Sequence, residues 1–189
     1  MTELIHSVRN SLASGERTFR LSNDALCWTE FGRAQRCLAY ADIRAMQLVS
    51  YASPIGRALQ CMLRSKAGGK IKLRSAHYRG LGDFEDRTNT YGPFIRALAG
   101  RIGAANPDAT FIAGSTGLWI LWLVVGLIWV GVVGLLSLAL FETSLLGTLA
   151  IALGFGAVFP PLIWREVRSG GAKTFDPHTP PGTLLGEAS

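Results

Sequence analysis

The chain has 189 residues, of which 49% are hydrophobic and only 17% charged, yet it carries a formal net charge of +6. Its pI is about 9.7 and its mean hydropathy +0.27. An ordinary soluble domain carries roughly a quarter charged residues, so this chain is at once short of charge and basic. The apolar content excludes disorder over most of its length, and the length suits one domain with at most an appendage.

In chain order, residues 1–16 form a short N-terminal segment without the apolar stretch of a cleavable signal peptide. Thr18–Ser22 alternates in polarity, Asn23-Asp24 supplies turn chemistry, and Ala25–Phe31 follows as a second strand. After Gly32, Arg36–Ile43 and Ala45–Tyr51 continue as short strands. Ala58–Ser65 and Lys70–Ala76 flank Gly68-Gly69 as the clearest hairpin, glycine being suited to the positive φ of tight turns. Residues 77–87 read as a loop. The period then changes: Tyr91, Phe94, Ile95, Leu98 and Ile102 lie on one stripe of an amphipathic helix. Thr90 is placed to cap it, Pro93 is tolerated in its first turn, and Asn106-Pro107 ends it.

Charge then disappears. From Ala109 to Phe141 no residue is charged, Glu142 interrupts, and Thr143–Trp164 is again charge-free. Leu118–Leu140 and Ser144–Trp164 each reach the roughly 20 apolar residues of a spanning helix. The expectation is a transmembrane hairpin over 118–164 (spans 118–140 and 144–164), entered by a linker over 109–117 and followed by an extended tail over 165–189. Arg96 and Arg101 precede the spans and Arg165, Arg168 and Lys173 follow them, so the positive-inside rule places both termini in the cytoplasm. Trp119, Trp122 and Trp164 fall where interfacial anchors sit. Gly126, Gly131 and Gly134 in the first span, and Gly147, Ala150 and Gly154 in the second, permit close helix packing. They serve the hairpin itself or a dimer or partner interface. Residues 1–117 hold nearly all the basic excess, a net of +7.

Short strands closed by one C-terminal amphipathic helix resemble the order of a pleckstrin-homology (PH)-like domain. Tyr40–Ile43 (YADI), Ser75–Tyr78 (SAHY), Gly82–Arg87 (GDFEDR), Tyr91–Phe94 (YGPF), Thr174–Pro177 (TFDP) and Leu184-Leu185 resemble a bacterial family of small PH-like membrane proteins. The resemblance implies an α+β fold: a PH-like antiparallel β-sandwich or barrel over 1–108, closed by one helix and followed by the two-helix hairpin. It implies the bacterial inner membrane, with the domain in the cytoplasm, and carries no catalytic residues.

Lys70, Lys72 and Arg74 alternate with apolar residues and share one strand face, which Arg64 and Lys66 enlarge across the hairpin. This is either a solvated outer face or a surface for anionic lipid headgroups or a protein partner. Asp83, Glu85 and Asp86 read as helix-capping charges, or as carboxylates for acid–base work beside His77. Cys27, Cys37 and Cys61 form no CxxC pair and read as reduced, packed thiols. The functional expectation is a non-catalytic, membrane-anchored module without cofactor, metal or nucleic acid, with a homo-oligomer as one open arrangement. The alternatives are an oligomeric subunit whose hairpin packs with a transporter or membrane enzyme, and an enzyme using His77 and the Asp83–Asp86 loop.

Overall fold

A computed structural model describes residues 4–10, 15–53, 56–141 and 171–187. The chain divides into two compact units: Met1–Gly114 together with Lys173–Ser189, and Ser115–Ala172.

Among the described residues the first unit is built on three sheets. β1 (Ile5–Val8), β2 (Arg17–Leu21), β3 (Ala25–Glu30) and β4 (Arg36–Ala39) form an antiparallel sheet in sequence order. Alternation sends His6, Val8, Phe19, Leu21 and Leu26 inward, while Ser7, Thr18, Arg20, Thr29 and Cys37 line the outer face. A 3-10 turn at Tyr40–Asp42 leads into the second sheet, ordered β11-β10-β5-β6-β7. Its members are β5 (Ile43–Ser53), β6 (Gly56–Ser65), β7 (Lys70–Arg74), β10 (Thr110–Ala113) and β11 (Lys173–Thr174). β10 runs parallel to β5, with Phe111 opposite Met46, and all other pairs in that sheet are antiparallel. The third sheet is the hairpin β8 (Ala76–Gly80) and β9 (Asp83–Asp86).

Helix α1 (Thr88–Ala105) follows directly. The expected stripe of Tyr91, Phe94, Ile95, Leu98 and Ile102 is fully buried, joined by Ala99, in one core with Phe19, Leu26, Met46, Leu48, Leu63 and Leu73. Thr90 does not cap the helix with its side chain. Asp86 Oδ1 instead accepts the Thr88 amide at 3.0 Å and the Thr88 hydroxyl, so the acidic loop does supply the local satisfaction a helix start needs.

The tail returns to this unit. β11 pairs with β10, Phe175 donates its amide to the Phe111 carbonyl at 3.1 Å, and the two phenyl rings meet edge to face. Leu185, after a 3-10 turn at Gly182–Leu184, is 1% exposed and part of the core.

Several expectations are corrected. The closed PH-like sandwich or barrel is not what forms: three separate sheets with distinct edges surround the core, because β10 and β11 extend the second sheet sideways and do not bridge it to the first. Residues 77–87 are a hairpin and a helix start, and Thr110–Ala113, within the expected linker, is a strand. Among the described residues the two-helix transmembrane hairpin is likewise not found. At its place stands α2 (Thr116–Phe141), and among the described residues no helix is long and apolar enough to cross a membrane. The second expected span, 144–164, lies outside the described residues. The integral two-span membrane protein, its inner-membrane location and its N-in/C-in orientation all rested on those spans, and the described residues do not support them.

Candidate functional site

The basic face expected from the sequence assembles on β6 and β7. Cross-strand register places Arg64 opposite Lys70, Met62 opposite Lys72 and Gln60 opposite Arg74, so these six side chains share one face of the sheet. Lys66 projects from the turn, where the Ser65 hydroxyl accepts the Gly69 amide at 3.0 Å and Gly68 takes a φ of 87°. Arg64, Lys66, Lys70 and Lys72 are exposed and enter no ion pair among the described residues. Two cations directly opposite each other repel, and the fold provides no carboxylate partner for either among those residues.

Arg74 is different. Its Nε donates to Gln60 Oε1 at 3.0 Å and its Nη1 to the Asn10 carbonyl at 3.2 Å, and its guanidinium lies 5.8 Å from the Tyr51 ring centre. It is a structural clamp for the N-terminal segment, which leaves four cations in the patch.

β7 is an edge strand, and that edge is partly covered. His6 Nε2 donates to the Arg74 carbonyl at 2.9 Å, and Asn10 Nδ2 reaches the Lys72 carbonyl. Nearer the turn, at Lys70 and Ile71, no such cover exists among the described residues.

His77 and the acidic residues come together, but as a saturated network. His77 faces Glu85 across the β8–β9 ladder. Its Nδ1 accepts the Arg9 amide at 3.1 Å, which requires that nitrogen to be unprotonated. Burial, followed by the nearby Arg87, holds the His77 pKa below its ordinary value. Arg87 Nη1 donates to the Ser7 carbonyl at 2.7 Å and to Glu16 at 3.2 Å, while its Nη2 reaches Glu85 at 3.3 Å. Arg79 holds the same Glu85 oxygen at 3.0 Å. The Arg87 hydrogen bond comes first among the causes that keep the Glu85 pKa low. Asp86 is occupied at the helix start, and Asp83 stands exposed at the β8–β9 turn. Every group proposed for acid–base work apart from Asp83 thus has a structural partner.

On the second unit, Trp119, Trp122, Gly126, Gly131 and Gly134 lie on α2. A Cβ added at Gly131 or Gly134 would meet nothing within 4 Å. Gly147, Ala150, Gly154 and Trp164 lie outside the described residues.

The sequence reading missed one chemical feature entirely. Cys27 and Cys37 are joined in a disulfide across β3 and β4, while Cys61 is a buried free thiol whose pKa burial pushes up. A signal was present: β3 and β4 pair residues equidistant from Gly32, and these two cysteines are such a pair. A scan against protein-family models, a search of curated proteins and a search of solved structures find no match to this chain.

Proposed function

We propose that the first unit is a non-catalytic binding module whose basic hairpin, Arg64, Lys66, Lys70 and Lys72, takes an acidic segment of a protein partner. The observation that supports this most is the Arg64–Lys70 cross-strand pair: two exposed cations held opposite each other with no carboxylate among the described residues. An anionic ligand relieves that repulsion. The uncovered backbone of β7 beside the turn adds hydrogen-bonding groups that an extended peptide uses directly. The engagement of His77, Glu85 and Asp86 in structural contacts supports a non-catalytic role.

The test is fluorescence anisotropy of the full chain with a labelled Glu-rich peptide, at low salt and at about 0.15 M, where the Debye length falls to about 8 Å. Lys70→Glu with Lys72→Glu is expected to weaken binding at least about tenfold, ~1.4 kcal/mol. Arg33→Glu, outside the patch, leaves it unchanged. Equal binding by the charge-reversed and native proteins rejects the reading.

A further inference from the structure

We infer that the Cys27–Cys37 disulfide is a modification site that exchanges with a small anionic thiol of the glutathione class. The inference does not depend on the basic hairpin, which lies on the other sheet. Four observations converge on it.

The first is position. Cys27 and Cys37 face each other on the side of the first sheet opposite Phe19 and Leu26, and Cys27 is itself buried there. Cys37 is exposed on β4, a four-residue strand at the sheet edge. An attacking thiolate therefore reaches the Cys37 sulfur without any opening of the fold.

The second is space. A groove of about 380 Å³ lies beside Cys27, lined by Thr18, Arg20, Cys27, Trp28, Thr29 and Gln35 among others, and Cys37 stands outside that lining. That volume falls within the roughly 300–1,000 Å³ of small-molecule sites. Its lining combines hydroxyl and amide groups, an aromatic ring and one cation, a set that suits a small peptide carrying carboxylates.

The third is charge. Arg20 stands opposite Cys27 on β2, on the face shared with the disulfide. A neighbouring guanidinium favours a thiolate over a thiol and makes that sulfur the better leaving group. The fourth is a donor on the other sulfur: Gln35 Nε2 points at Cys37 Sγ at 3.7 Å.

The exchange balances in two steps. The small thiolate attacks Cys37 Sγ; a new sulfur–sulfur bond forms there, and the electron pair of the Cys27–Cys37 bond leaves on Cys27 as a thiolate beside Arg20. A second small thiolate then attacks the sulfur of the bound adduct. The low-molecular-weight disulfide departs, and Cys37 is left as a thiolate facing Gln35. Two small thiols are oxidised, and the protein pair gains two electrons. Run in reverse, the oxidised small molecule places an adduct on Cys37, which Cys27 resolves.

The experiment incubates the folded full chain with millimolar reduced glutathione, quenches with acid, and reads intact mass and peptide maps. Expected is a single glutathione adduct on Cys37, then the dithiol, with Cys61 unmodified throughout. Cys27→Ser, exposed to oxidised glutathione, accumulates the Cys37 adduct because nothing resolves it. Arg20→Gln slows the first step about threefold to tenfold, while near-ultraviolet circular dichroism shows the fold retained. An adduct on Cys27, opening only in denaturant, or an unchanged rate in Arg20→Gln overturns the inference.

Discussion

Gly92 on α1 lies directly beneath the carbonyl oxygen of Leu185: a Cβ at that position would stand 2.5 Å from it. The same arrangement recurs along residues 173–187, the tail that forms a strap against α1. A Cβ at Gly103 would lie 2.7 Å from the Pro177 ring, and at Gly186, whose φ is +83°, one would lie 1.8 Å from the Thr88 methyl. Glycines on the helix and in the tail thus let two backbones approach, and Arg96 pairs with Glu187 at the rim. Gly92→Ala is expected to cost about 1–3 kcal/mol by overpacking against backbone that cannot yield. The measurement is thermal melting combined with limited proteolysis. The variant should lose its tail to protease under conditions where the native protein keeps it, and equal tail protection would contradict the strap.

His6 is fully buried, donating through Nε2 to the Arg74 carbonyl, with Nδ1 3.1 Å from the Thr90 hydroxyl and both Tyr91 and Phe94 against its ring. Burial lowers its pKa below 6.5 despite the bond to Arg74, and Arg87 and His77 lower it further. As pH falls below about 6.5, the unfolded chain takes up a proton that the folded one refuses. This histidine's stabilising contribution is therefore complete above that pH and is lost progressively beneath it, by up to about 1.4 kcal/mol per pH unit. Melting temperature measured from pH 8 to pH 5 should fall more steeply for the native protein than for His6→Gln, whose amide retains a donor and does not titrate. Parallel curves would show that His6 is not the group responsible.

The Tyr91 hydroxyl is buried in the core with no hydrogen-bond partner among the described residues. Burial raises its pKa well above the ordinary value, so it stays a neutral phenol. Removing an unsatisfied buried oxygen forfeits no bond, and a buried orphan costs about 1–3 kcal/mol. Tyr91→Phe is therefore expected to be neutral or stabilising, by up to about 1 kcal/mol. A chemical-denaturation midpoint well below the native one would mean that the hydroxyl has a partner.

Arg87 ties three elements together: β1 through the Ser7 carbonyl, the segment before β2 through Glu16, and β9 through Glu85. Arg87→Ala leaves a part-buried carbonyl without its charged donor and is expected to cost about 1–3 kcal/mol. Glu85→Gln, in the exposed and solvent-screened part of the network, is expected to cost less than Arg87→Ala. Equilibrium urea unfolding of both variants checks the ordering, which a larger loss in Glu85→Gln would reverse.

The limits of sequence reading follow from range. β2, β3, β5, β6 and β7 were legible because a period of two over five or more residues identifies a half-buried strand without reference to its partner. α1 was legible because five apolar residues at helical spacing define a stripe. β1, β10 and β11 span four residues or fewer, too short for a period, and exist through partners distant in sequence. β8 and β9 were hidden by Gly80, Gly82 and three carboxylates, a composition that reads as loop until the turn at Leu81-Gly82 is seen to close a ladder. The basic face was legible from alternation alone. That Arg74 belongs to the N-terminal clamp was not, since Gln60 and Asn10 become its neighbours only in three dimensions.

Ala113 and Lys173 stand directly across the β10–β11 ladder, although a whole second unit lies between them in sequence. The chain leaves and re-enters one sheet within a single strand spacing, about 5 Å. Replacing Ser115–Ala172 by an Asn-Gly turn should preserve the β10–β11 pairing and the burial of Leu185, which amide hydrogen exchange at Phe175 would read out. A fragment ending at residue 108 lacks both strands and Leu185. The separable part of this protein is thus its middle, and the folding unit is assembled from the chain's two ends.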